Sequence, residues 1–390
     1  MTTSVDFVTG PFRAAVDMHK TTCEWLYAAK NHQGGKRMEE KYVGIDIHRD
    51  YGVACVQDPK GKIIDEFRFG NNIEEINKVK EKLGSNNSHI AIESTGNMWV
   101  VLWDKLEEVE SDLHLVHPLK TKAIASNKLK NDKLDAKILA KLLRGDMLVC
   151  SYVPPHDVRD KREIVRLRAS LVRMRTQATN KIRSILHKYC IKYKGSLHQQ
   201  SGMEFLSTLE LRPVDRCAIK SYLETLKTLN AEIEAVNRQI ASNDSEDVRL
   251  LMSIPGIDYY SAVLICSEIG DISRFPSHNK LASWTGLVPS MHQSGTSFYN
   301  GRITKEGSRR LRWILIQCAH ASIRTNSKIN EFYSKIAKRR GENKAVVAVA
   351  RKLVKIIYAV LSSRNPSLYG DPEKTERKIK KMRRIAEKVV

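Results

Sequence analysis

One charged residue in an otherwise apolar extended run constrains the fold of this chain more than any other feature. Residues Tyr42-Val43-Gly44-Ile45-Asp46-Ile47-His48 read as a buried strand, and Asp46 stands in its middle. A carboxylate taken out of water without a partner costs several kcal/mol, so such a strand is viable only where a cation or a charged neighbour meets it. A bound metal answers that need, and the segments that follow can be searched for further ligands.

Those segments come in an informative order. Gly52 to Val56 and Ile63 to Phe69 read as two more strands, separated by the turn residues Asp58-Pro59-Lys60-Gly61. Ile73, Ile76, Val79 and Leu83 then recur at helical spacing, and Ile90-Ala91-Ile92 forms a short strand. Met98 to Val109 forms a helix, and Leu113, Leu115 and Val116 belong to a further strand. The pattern β-β-β-α-β-α-β followed by a helix is that of the ribonuclease-H-like, or RuvC-like, α/β fold, whose mixed sheet holds carboxylates at strand ends. Glu93 closes the fourth strand, at the same sheet edge as Asp46.

Asp132 and Asp135 lie three apart in Asn131-Asp132-Lys133-Leu134-Asp135-Ala136-Lys137, a spacing that puts both on one helix face. Asp46, Glu93, Asp132 and Asp135 can therefore converge. Two hard divalent cations about 4 Å apart would activate an attacking oxygen and stabilise a leaving one in phosphodiester displacement. Magnesium fits oxygen ligands of this kind, with manganese as a substitute. Taken alone, Asp132 and Asp135 are also explained as an N-cap and a first-turn acid offsetting the helix dipole. No cap explains Asp46. His48 and Asp50 are near enough to touch the ligands, but they read more simply as the end of the strand and are left out of the site.

The charge balance supports a phosphodiester substrate. Lys and Arg number 66 against 44 Asp and Glu, so the net charge is 66 − 44 = +22 and the partner is a polyanion. No stretch approaches the about 18 continuous apolar residues of a spanning helix, which favours nucleic acid over a membrane. The 7 cysteines are scattered and odd in number, without a Cys-x-x-Cys pair, so neither zinc nor a disulfide framework is expected. The first residues lack an apolar signal region, and a reducing cytoplasm is the expected setting.

A chain of 390 residues suggests two or three cores. Residues 1–40 read as an N-terminal extension outside the core, ending in the linker 31–37 just before Met38, the expected working start. Residues 41–150 form the RuvC-like domain. Residues 151–245 form a helical coiled-coil region, 246–365 a mostly helical C-terminal domain, and 366–390 a basic tail, solvated or tracking phosphates. In the middle region a helix over 159–189 carries Ile164, Leu167, Leu171, Met174, Ala178, Ile182, Ile185 and Tyr189 at steps of three and four. Ile219, Tyr222, Leu226, Leu229, Ile233, Val236 and Ile240 make a second such stripe, which suits packing within one chain and a dimer seam equally well. Helices are also expected at 261–269, 279–285, 308–322 and 343–362. The Pro255-Gly256 turn resembles a helix-hairpin-helix, which offers backbone N–H groups to a phosphate.

The motifs Gly44-Ile45-Asp46, Ile92-Glu93-Ser94-Thr95-Gly96 and Asn131 to Ala136 resemble those of the DEDD-type insertion-sequence transposases, which are similar to the Piv site-specific invertases. The second half, from Leu250 to Ile257 through Leu281-Ala282-Ser283-Trp284-Thr285-Gly286-Leu287-Val288-Pro289 to Ser294-Gly295-Thr296-Ser297, resembles the C-terminal domain of the same family. The likeness runs over about residues 42 to 362 and rests on motif order. It implies an enzyme that excises and inserts DNA, with the four acids binding magnesium and Ser294 attacking phosphorus to form a covalent phosphoserine. It further implies a composite site from the two domains, of one subunit or of different ones. A homo-oligomer (dimer or tetramer) acting on double-stranded element ends and target is implied too, guided by a noncoding RNA of the element.

Without that resemblance the residues say less about the second half. Gln293 to Ser297 has ordinary turn composition and reads as a loop. A serine hydroxyl needs a base or metal beside it to act as a nucleophile, Ser297 is its nearest competitor, and Tyr299 would serve tyrosine chemistry. Arg302, Lys305, Arg309, Arg310 and Arg312 suit a phosphate clamp or a solvated helix face equally. On the central helix, nine positive residues in the 25 positions 159–183 exceed what solubility requires, and Arg166, Arg173 and Arg175 are expected to meet phosphates. Two rivals remain at this level. One is a Holliday-junction resolvase or nuclease using water as nucleophile, the other a catalytically dead nucleic-acid-binding protein from a decayed element.

Overall fold

Contacts in the computed structural model divide the chain at Val153/Pro154 into two units. Residues 40–84, 87–93, 96–109, 111–118, 121, 132–294 and 297–387 are described; the N-terminal extension, Met38, Ser94-Thr95 and Asn131 lie outside them.

In the first unit, β1 (Lys41–Ile47), β2 (Tyr51–Gln57), β3 (Ile63–Gly70), α1 (Ile73–Leu83), β4 (Ser88–Glu93), α2 (Trp99–Glu107), β5 (Asp112–Val116) and α3 (Asp132–Arg144) follow the expected order. The sheet order is β3-β2-β1-β4-β5. β1 runs antiparallel to β2 and parallel to β4, and β4 runs parallel to β5. Alternation along the strands sorts the residues into two faces. Val43, Ile45, Ile47, Ile90 and Ile92 pack against Ile76, Val79, Leu102 and Leu106 of α1 and α2. The other face presents small residues to α3: Ala91 meets Leu139, and Val53 and Cys55 meet Ala136. At Gly44 the approach is closest, since a β-carbon there would overlap the Ala136 carbonyl oxygen and come within 2.8 Å of the Leu139 Cβ. Glycine at 44 is therefore what lets α3 lie directly on the central strand.

The second unit contains the long helices α4 (His156–Lys188) and α6 (Pro213–Ala241), joined through α5 (Gln200–Ser207). Cross-links Arg168 to Asn237, Arg175 to Asn230 and Lys188 to Asp215 keep a nearly constant residue-number sum, the signature of an antiparallel hairpin. Ile219, Leu226, Ile233 and Ile240 of the second stripe are buried within this unit. The first stripe is less regular than expected: Leu167 and Met174 are exposed, and Val165 takes the inward position. Over 33 residues, a 3.6-residue turn carries a 3.5-residue repeat off the face that meets the partner.

The unit continues with α7 (Glu246–Met252), α8 (Tyr259–Ile269), α9 (His278–Trp284), a two-stranded sheet of β6 (Pro289–Ser294) and β7 (Ser297–Ile303), α10 (Arg309–Thr325), α11 (Ser327–Arg340), α12 (Glu342–Ser363) and α13 (Pro372–Ala386), of which α8 and α13 pack directly on the hairpin. Val165, Val236 and Ile240 of the hairpin share one core with Leu251, Ile265, Leu315 and Leu353. The strands β6 and β7 replace the expected loop around Ser294; Pro289-Ser-Met-His-Gln-Ser has little strand propensity, and pairing with β7 decides its conformation. The tail is a helix docked by one apolar edge, while Arg377, Lys380, Lys381, Arg383 and Arg384 on its other faces stay exposed. Met382 of α13 is fully buried, with Ile379 and Ile385 packed beside it. Lys378 Nζ donates to the carbonyls of Met252, Ile254 and Ile257 at 2.7, 3.3 and 2.7 Å. The Pro255-Gly256 turn packs on α10, where Ser322 Oγ donates to the Pro255 carbonyl and the positive φ of Gly256 fits against the Ser322 backbone.

Candidate active site

Asp46 follows Gly44 on the α3 face of β1, and Glu93 follows Ala91 on the same face of β4, because side chains two apart share a face. Asp132 and Asp135 occupy the first turn of α3, which Gly44 seats over that face. The sheet and helix thus bring the four expected acids to one place. Burial is the main influence on Asp46 and pushes its carboxyl up to about 6; His48 opposes, while Glu93, Asp135 and Asp132 push the same way. Asp46 is 5% exposed, so its charge has little water to turn to.

His48, set aside from the sequence, belongs to this group. Its Nε2 lies 3.2 Å from Asp46 Oδ2 and 3.4 Å from Asp132 Oδ2. That nitrogen is buried without a directed hydrogen bond, which is the environment of an atom waiting for a further partner. The Tyr51 hydroxyl donates to Asp132 Oδ2 at 2.7 Å, and the Arg68 guanidinium stacks 3.6 Å over the Tyr51 ring. These contacts fix one Asp132 oxygen and leave a cleft of about 380 Å³ beside it, lined by Tyr51, Glu66, Phe67, Arg68 and Lys133. The signal available in the sequence was spacing: His48 and Tyr51 flank the tight turn between β1 and β2, where both side chains return to the end of β1.

Asp46, His48 and Asp132 offer donor atoms close enough to share one ion. Carboxylate oxygens are the ligands hard divalent cations prefer, and a buried carboxyl held above its ordinary range gains most from such an ion. The donor set, with the His48 nitrogen set between two carboxylates, fits a divalent metal.

Residues 43–191 match the DEDD transposase family of IS110, and residues 248–334 match the transposase family IS116/IS110/IS902. The first match contains all four acids and the second contains Ser294. The chain belongs to the IS110 family of transposases. It is 26% identical to the transposase for insertion sequence element IS1111A of Coxiella burnetii, over 83% of this chain and 90% of that one. It is 28% identical to a probable family 20 transposase of Pseudomonas aeruginosa, over 70% and 83%. A pilin gene-inverting protein of Moraxella bovis is 25% identical over 84% and 98%. The protein is thus a DNA transposase of a metal-dependent family, and among the described residues no helix is long and apolar enough to cross a membrane.

In the second unit of this transposase, Ser294 ends β6 opposite Ser297 at the tip of the hairpin. Arg302 on β7, Lys305 in the following loop, and Arg309 and Arg310 at the start of α10 are exposed. Arg312 turns inward, donating to the carbonyls of Thr285 and Glu306. The central helix divides its cations in the same way. Arg166 forms a forked pair with Glu268, which is 3% exposed. Arg175 donates to Asn230, and Arg168 donates to Asn237 and covers the Tyr260 ring. Arg173 stays exposed.

Proposed function

We propose that this transposase cuts and joins DNA at Asp46, Glu93, Asp132 and Asp135, which hold magnesium or, in its place, manganese. The observation that carries this is the convergence of all four acids over the α3 face, with Asp46 buried among them. When bound, the metal stabilises the extra negative charge that collects on phosphorus oxygens in the displacement. His48 and Tyr51 orient the Asp46 and Asp132 carboxylates. Ser294 supplies the nucleophile: its Oγ–P bond forms as a P–O bond of the strand breaks, the serine proton passing to solvent and the released oxygen taking one up. Attack by an incoming strand hydroxyl on the phosphoserine then restores the serine.

Exposed Arg173, Arg302, Lys305, Arg309 and Arg310 supply phosphate contacts to double-stranded element ends and target, positioning the duplex without reading it. The choice of sequence falls to a noncoding guide RNA, in keeping with a net charge of +22. A homo-oligomer, dimer or tetramer, brings the ends together. The test is incubation of end-labelled element DNA, guide RNA and Mg2+ with the full chain, followed by denaturing gels for a protein–DNA adduct. Wild type is expected to form an adduct that Ser294→Ala abolishes and Asp46→Asn abolishes too. Cutting by Ser294→Ala at the wild-type rate without adduct would instead identify a nuclease that uses water.

A further inference from the structure

A second group of metal-type ligands sits at the opposite end of the sheet. His89 and Asp112 face each other across β4 and β5, and His114 follows two residues on along β5. His89 Nδ1 lies 2.7 Å and His114 Nε2 3.0 Å from the same oxygen, Asp112 Oδ2. The three donor atoms lie within 4.8 Å of one another. Ligand atoms around a tetrahedral zinc, with bonds of about 2.0–2.1 Å, stand about 3.3 Å apart, close to the separation of each imidazole nitrogen from the shared Asp112 oxygen.

Both rings are held from behind. Tyr42 stacks on His89 with centroids 5.0 Å apart and planes 16° from parallel. Cys150 Sγ lies 3.7 Å from His114 Nδ1, the nitrogen that faces away from Asp112. An imidazole fixed through its far nitrogen or its face, with the near nitrogen aimed at a shared point, is how metal-binding histidines are oriented. Separation from the acids is also clear: His89 precedes Glu93 by four residues on an extended strand, about 13 Å at 3.3 Å per residue.

We propose that His89, Asp112 and His114 form a second cation site, selective for zinc-class transition metals over magnesium, that staples β4 to β5. Two imidazoles and one carboxylate are borderline ligands, which zinc accepts and magnesium refuses. Water completes the coordination, since Asp112 is half-exposed. The ion ties together the strand that carries Glu93 and its outer neighbour, and its role is mechanical.

The test uses the full chain with Asp46→Asn and Asp135→Asn, which disable the acidic site. One equivalent of Zn2+ is expected to bind and raise Tm, with EDTA reversing the shift, and Co2+ is expected to give visible d–d absorption of tetrahedral strength. Mg2+ in excess should compete for neither. Adding His89→Gln and His114→Gln should remove the zinc equivalent and the cobalt band. Asp112→Asn, which keeps the hydrogen-bonding shape, provides the same readout should the double histidine change unfold the sheet. Zinc stoichiometry near zero in the acid-disabled chain, or an unchanged cobalt band after the ligand changes, overturns the proposal.

Discussion

Gly44 carries no side chain where the Ala136 carbonyl of α3 rests on it, and that absence sets the height of Asp132 and Asp135 above Asp46. Replacing Gly44 by Ala forces the helix outward, because both nearest atoms are backbone and neither can swing aside. Overpacking of this kind costs about 1–3 kcal/mol, and a shift of about 1 Å at a metal site costs far more in rate. Gly44→Ala is therefore expected to lower Tm by several degrees and to reduce Mg2+-dependent strand cleavage at least tenfold. A variant that melts lower yet cleaves at the wild-type rate would show that the acids do not depend on this contact.

Asp46 makes the metal-free transposase less stable than it need be. Its carboxyl is raised from 3.8 to about 6, with burial as the first cause. The sign follows from linkage: below pH 3.8 the group is protonated folded and unfolded alike, the cost of ionising it in the folded chain grows between the two values, and above 6 it is paid in full. Two units correspond to about 3 kcal/mol. Without metal, Asp46→Asn should raise stability at pH 7.5 by an amount of that order, and the gain should vanish near pH 4. Adding Mg2+ should stabilise the wild type and leave Asp46→Asn nearly unmoved. Urea titrations at the two pH values, with and without Mg2+, measure all three effects.

The grouping of the four acids was legible because Asp46 breaks a local rule and the order of elements brings the others toward it. Asp46 is a charge in an apolar strand, Glu93 ends one, and Asp132 and Asp135 share a helix face, so strand order and helix spacing together pointed to their convergence. His48 was not legible, since a polar residue after a strand is ordinary and only the turn back to β2 makes it a neighbour of two carboxylates. The hairpin carrying Ser294 escaped for the opposite reason: nothing in Met291-His292-Gln293 favours a strand until β7 pairs with it. The α13 stripe of Ile379, Met382 and Ile385 was hidden among lysines and arginines whose stems cover the apolar residues between them. Charge density likewise could not tell Arg166 from Arg173, because the difference lies in Glu268, 102 residues away.

That difference is measurable. Arg166→Ala leaves Glu268 buried and unpaired, a loss of about 3–5 kcal/mol for a broken buried pair, so Tm should fall sharply. The dependence of DNA affinity on salt should stay as it was. Arg173→Ala should do the reverse, keeping stability within about 0.5 kcal/mol and lowering the slope of log K against log salt by about 1. Filter binding between low and moderate salt, beside thermal melts, separates the two. Equal slopes for wild type and Arg173→Ala would remove that residue from the DNA surface.

Lys378 is expected to matter for the second unit in the way a helix cap matters, although it lies more than 120 residues from the helix it serves. The last carbonyls of a helix have no partner within it. Here the ammonium of Lys378 satisfies Met252 at the end of α7 and continues to Ile254 and Ile257 in the turn, so one cation holds a segment that Pro255 leaves without the usual donors. Lys378→Met keeps the aliphatic stem and removes all three hydrogen bonds. Charged hydrogen bonds contribute about 1.5–3 kcal/mol each, shared here among acceptors that partly regain water. A loss of about 2–4 kcal/mol is expected by that reckoning, with metal affinity at Asp46 unchanged because the first unit is untouched. Deleting residues 371–390 should cost more still, since it also uncovers the pocket filled by Met382. Were Lys378→Met to melt with the wild type while the deletion did not, the apolar stripe and not the cap would be what holds α13 in place.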